Sequence, residues 1–105
     1  FGLVALEAMS AEVPVVASFN TPDDGEVARM STATTRDAAI ALGRSKEVDG
    51  VFVACTSLRV AEIVEEVERA IGKPLTSSNH AMAWHALRLA GVKDAVEGWG
   101  RLFRS

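Results

Sequence analysis

The stretch Val51–Gly72, VFVACTSLRVAEIVEEVERAIG, decides the fold. The preceding Asp49-Gly50 and the run VFVAC read as a strand of β-branched and aromatic residues, apolar on both faces as a central strand of a parallel sheet is. Beyond it, Val60, Ile63, Val64, Val67 and Ile71 recur at spacings of three and four, with Glu62, Glu65, Glu66 and Arg69 on the opposite side, which predicts an amphipathic helix. Gly72 suits the left-handed position that closes a helix, and Lys73-Pro74 forbids its continuation. The following PLTSS returns to the sheet, so strand, helix and strand form the unit from which parallel α/β sheets are assembled.

Cys55, the only cysteine of the chain, stands between that strand and that helix. Ligands of open α/β sheets meet the carboxyl ends of the strands. If the helix opens at once, the N–H groups of Thr56, Ser57 and Leu58 form a receptor for a carboxylate or phosphate. The same positive helix end favours a thiolate, which makes Cys55 a candidate base or nucleophile. The competing reading is a buried cysteine serving as a small hydrophobe. The hydroxyl residues directly after Cys55 favour the functional one.

Outward from this centre, TTRDAAIALGRS predicts a short helix with Thr34 or Thr35 as N-cap and Gly43 as its stop. FGLVALEA and VPVVA have the apolar density of buried strands, and SFNTPDDGEVARMST is a turn-rich loop. On the other side, Ser78 or Asn79 can cap a helix HAMAWHALRLAG that ends at Gly91, and KDAVEGWGRLFRS predicts a last helix weakened by its two glycines. Ser78 and Asn79 could equally hydrogen-bond a substrate carboxylate at the sheet edge. Asn20 could orient one from the long loop. Asp23 and Asp24 read as turn residues, and two adjacent aspartates without a third ligand make no metal site. His80 and His85 fit packed histidines on an apolar helix, and Arg59 a solvated surface arginine.

A chain of 105 residues is one small domain. Its 49% hydrophobic and 24% charged residues are globular averages, its apolar runs are too short to span a bilayer, and no secretory signal pattern is found, so a cytoplasmic location is expected. One cysteine excludes a disulfide framework and a cysteine zinc site. A net charge of −3 with mixed signs gives no footprint for nucleic acid or membrane and leaves small molecules or proteins as partners.

VFVACTSLR followed by GKPLTSSNHAMAWHALRLAGV resembles the C-terminal half of the aspartate/glutamate racemase superfamily, in its maleate cis-trans isomerase and arylmalonate decarboxylase branch. SFNTPDDGEVARMS resembles the segment before that half, and FGLVALEA the opening strand. The resemblance implies residues 1–105 as one α/β domain: a flavodoxin-like parallel sheet with helices on both faces, one half of a two-domain racemase-type fold. It implies a cleft between the halves, no metal and no organic cofactor. Cys55 would be the second-half cysteine, and the amides of Thr56 and Ser57 would hold a small carboxylate substrate. The leading expectation is an isomerase of the maleate or racemase type. The alternatives are a one-cysteine malonate-type decarboxylase and a catalytically inactive α/β binding module. The first-half cysteine should fall between FGLVALEA and VPVVA, yet the first runs straight into MSAEVPVVASFN. A second copy of the chain or a first-half domain is therefore the expected companion.

Overall fold

A computed structural model describes residues 29–105. The stretches expected to form two N-terminal strands and a turn-rich loop, with Asn20, fall outside the described residues. Helix α1 (Thr32–Gly43) opens one turn earlier than the sequence suggests: Ser31, extended at ψ 151°, accepts the Thr34 N–H on its side chain, so Ser31 rather than Thr34 or Thr35 is the cap. Gly43 is not a left-handed stop. It is the last buried helical residue, and a Cβ there would lie 2.6 Å from Ile71 Cδ1, so it is glycine for close helix packing. The Lys73 ammonium donates to the Gly43 and Ser45 carbonyls (2.8 and 2.6 Å) and satisfies the end of the helix instead.

Strand β1 (Val51–Val53) pairs in parallel with β2 (Leu75–Ser77), Val51 opposite Leu75 and Val53 opposite Ser77. Between them run a 3₁₀ turn (Ala61–Ile63) and helix α2 (Val64–Ile71). Gly72 takes the expected left-handed conformation at φ 69°, its N–H closing on the Glu68 carbonyl. The predicted apolar stripe is the core: Val60, Ile63, Val64 and Val67 are buried with Ala39 of α1 and Leu75 of β2, and Val51, Val53, Leu58 and Ile71 pack around them. Val51 and Val53 thus face α1 and α2, while Phe52, on the opposite face of the sheet, is 50% exposed.

Helix α3 (Ser78–Leu89) follows β2 without a connecting residue, and α4 (Gly100–Arg104) closes the described chain. The last helix is thus shorter than KDAVEGWGRLFRS suggests. Gly98 and Gly100 both have positive φ, which breaks the pattern before it begins. Helix α4 docks on α2 through carboxylates: Glu65 accepts the Gly100 N–H (3.0 Å), and Glu68 accepts the Arg101 N–H (2.9 Å) as well as that of Leu75 (3.0 Å). Glu68 is buried, yet its charge is met by these donors. The outer side of α3 stays bare, with Met82 64% and Leu89 75% exposed.

Candidate active site

The site forms where β1 and β2 deliver the chain to their carboxyl ends. The helix expected directly after Cys55 does not start there. Residues 54–60 form a loop, and helical structure begins only at Ala61. The deciding contact comes from α3. The Asn79 side-chain amide donates to the Thr56 carbonyl at 2.7 Å, taking the acceptor that a helix opening at Cys55 would offer to the Val60 N–H. Val60, meanwhile, turns into the core with 2% exposure. Thr56 and Ser57 are therefore turn residues, and the sulfur does not sit on a helix N-terminus.

Cys55 is half-buried, two residues beyond the end of β1, and its sulfur accepts the Ser57 N–H at 3.4 Å. It is neither enclosed as a core hydrophobe nor free of the fold. Beside it opens a cleft of about 240 Å³ walled by Thr56, Ser57, Arg59, Glu62, Ser77 and Asn79, with Leu58, Val60, Ala61 and His80 completing its surface. Of the residues singled out in the sequence, the structure brings Thr56, Ser57 and Asn79 together on this cleft; Cys55 is not on its wall and is linked to it through the Ser57 N–H. Ser78 is not on its wall, and Asn20 lies outside the described residues.

The second junction corrects the capping assignment. Ser77, extended and almost fully buried, accepts the His80 N–H at 3.2 Å and is the N-cap; Ser78 and Asn79 are the first helical residues. In TSSN three consecutive residues can cap, and sequence alone does not choose among them. His80 is a packed histidine as expected. Its Nε2 donates to the Trp99 carbonyl (2.7 Å), which fixes the tautomer in which Nδ1 accepts from the Thr76 hydroxyl (2.9 Å), and its ring lies 4.8 Å from that of Phe103. With both nitrogens engaged it has no proton to trade with a substrate. His85 differs from its expectation: it is exposed.

Arg59 is exposed, as the surface reading expects, and also lines the cleft. Sequence reading missed the α2 carboxylates that hold α4: the pattern puts Glu65 on the solvated face and gives Glu68 no role. Glu65 is kept below the usual carboxylate range by the Gly100 N–H first and by the Arg104 side chain second. Among the described residues no group of three or more His, Cys, Asp and Glu could hold a metal, and no helix is long and apolar enough to cross a membrane.

Comparison with known proteins agrees with this geometry. The chain has a racemase-type α/β fold, that of the aspartate/glutamate racemase superfamily, as the solved structures it matches show. The arylmalonate decarboxylase family matches residues 3–103, and the chain belongs to it. It is 40% identical over 79 residues to the arylmalonate decarboxylase of Bordetella bronchiseptica, covering 73% of this chain and 33% of that one. A crystal structure of arylmalonate decarboxylase superposes with a TM-score of 0.69 at 35% identity, over 82% of this chain and 39% of that one. A sulfate-associated glycine-to-cysteine variant of the same enzyme reaches 0.74 at 34% identity, over 95% and 46%. The chain thus spans a third of the curated relative and less than half of these solved structures.

Proposed function

We propose that this chain carries the proton-donating half of a decarboxylase acting on malonate-type dicarboxylates, with Cys55 as the donor. The observation that carries the proposal is the placement of Cys55 just past the end of β1, its sulfur accepting the N–H of Ser57, a residue of the cleft wall, in a chain of the arylmalonate decarboxylase family. When one carboxylate leaves as carbon dioxide, its bonding pair stays on the α-carbon as the enediolate of the other carboxylate. The Cys55 thiol protonates that carbon, and the thiolate regains its proton from water, so one proton is consumed for each carbon dioxide released. The retained carboxylate rests against the Thr56 N–H and the Ser57 hydroxyl. Asn79 fixes their loop by donating one of its two amide N–H groups to the Thr56 carbonyl, and the second N–H serves the anion.

The isomerase expectation gives way here, because the family and the relatives are decarboxylases and a single thiol suffices for the step. The reading also includes a companion. The bare face bearing Phe52 is where a second copy or a first-half domain supplies the opposite wall of the cleft. The direct test is to incubate the protein with phenylmalonate and, separately, with maleate. Phenylacetate and carbon dioxide from the first, with no fumarate from the second, support decarboxylation. Fumarate formation restores the isomerase reading, and phenylmalonate binding without product leaves the inactive binding module.

A further inference from the structure

Helix α3 has an exposed apolar side that the site does not use. Met82 and Leu89 are 64% and 75% exposed, and Ala83, Ala86 and Ala90 are exposed beside them. At about 100° per residue these five positions share about one third of the helix circumference, while His80, Trp84 and Leu87 lie on the other side. No charged residue stands among the five. Arg88 is engaged elsewhere, donating to the Val92, Asp94 and Ser105 carbonyls. The order of large and small side chains along this side is its own complement when reversed. Met82 and Ala90 are each four residues from Ala86, one large and one small; Ala83 and Leu89 are each three residues from it, one small and one large.

We infer that this side of α3 is the contact surface for a second copy of the chain, the two helices running antiparallel about a two-fold axis at Ala86. Met82 of each copy then seats against Ala90 of the other and Leu89 against Ala83, while the two Ala86 methyls let the axes approach to about 8 Å, the close end of the usual range. An unrelated occupant needs only an apolar patch. A second copy needs every large residue to find a small one at equal distance beyond one central position, and this side has that order. The adjoining surface is apolar as well: Phe52, half-exposed, is the register partner of Thr76, whose hydroxyl meets His80 of α3, so helix and ring lie on one face of the sheet. A helix of 12 residues is about 18 Å long, which gives a pair smaller than obligate dimers and therefore reversible. The inference concerns assembly and stands apart from the decarboxylase reading.

The test is sedimentation velocity of the whole chain from about 10 µM to about 1 mM, the range in which an interface of this size dissociates. The natural sequence passes from monomer to dimer across it. Ala86→Glu sets two like charges on the axis and keeps the chain monomeric throughout. Leu89→Ala removes a large side chain and Ala83→Leu fills the place it seats in, so each alone raises the dissociation constant by about tenfold. Combined, they exchange large and small and bring it back to within about threefold of the natural value. All three positions are exposed, so the urea midpoint of the dilute monomer stays close to the natural one. A natural chain that is monomeric at every concentration overturns the inference. So does tighter association of Ala83→Leu alone, which marks a merely adhesive surface without register. A dimer that survives Ala86→Glu and is lost with Phe52→Glu belongs to the open sheet face and overturns it equally.

Discussion

The two strands reach the same edge of the sheet and leave it in opposite ways. β2 passes into α3 with no intervening residue, its last residue Ser77 being the N-cap and nearly inaccessible, and the junction is braced by His80, Trp99 and Phe103. β1 instead opens into the loop 54–60, where Cys55 is half-buried and Thr56, Ser57 and Arg59 are exposed. The tight junction satisfies its own backbone donors with its own side chains. The open one leaves polar groups facing a cleft. The tight junction carries packing, the proposed chemistry belongs to the open one, and one hydrogen bond, Asn79 to the Thr56 carbonyl, joins them.

That division predicts asymmetric responses to substitution. Leu75→Ala in β2 removes a side chain with 1% exposure and should cost about 2–5 kcal/mol in urea unfolding, whereas Phe52→Ala on the bare face of β1 should cost far less. Similar losses for the two would mean that the Phe52 face is covered. Glu68→Ala strands the N–H groups of Leu75 and Arg101, at about 1–3 kcal/mol for each group left unsatisfied, and should release α4, read as a change in tryptophan emission from Trp99. Ser77→Ala removes a cap and should cost about 0.5–2 kcal/mol, while Ser57→Ala in the open loop should stay within about 0.5 kcal/mol of the natural sequence.

Asn79→Ala should cost only about 1 kcal/mol but quicken the alkylation of Cys55, because it frees the loop from α3. The smallest effect is that of acid. Glu65 titrates below its ordinary value in the folded chain, so its contribution is present at pH values above the ordinary glutamate pKa of about 4.3 and is lost as pH falls through the depressed value. Below that range α4 should loosen from α2 while Cys55 alkylation, corrected for thiolate content, stays unaltered; Glu65→Gln should abolish the transition.

Much of this arrangement is legible in the sequence where periodicity governs it. The Val60–Ile71 stripe, the Gly72 stop and the return of PLTSS to the sheet are set by spacing and by residues of restricted backbone choice, and each is found in the structure. The start of the helix is not legible, because Thr56, Ser57 and Leu58 have no strong preference and the deciding partner, Asn79, lies 23 residues away. The same holds for the embedded carboxylates. Glu65 has the spacing of a solvated face and Glu68 sits beside the apolar stripe, and neither shows a role until the positive-φ glycines Gly98 and Gly100 turn the chain back onto them. The place of Cys55 beyond an apolar strand is legible in the sequence; the tightness of the junction beside it is not.

The central claim is that the open junction, through Cys55, delivers the proton that completes decarboxylation. It is tested most directly by comparing Cys55→Ala with the natural sequence on phenylmalonate in deuterated water, following phenylacetate by proton NMR and ligand binding by the amide shifts of Thr56 and Ser57. The account predicts one deuterium at the α-carbon of the natural protein's product. For Cys55→Ala it predicts ligand-induced amide shifts that persist while product formation falls by about 10²–10⁴-fold, the range expected for losing a positioned acid. Product formed by Cys55→Ala at the natural rate would contradict it.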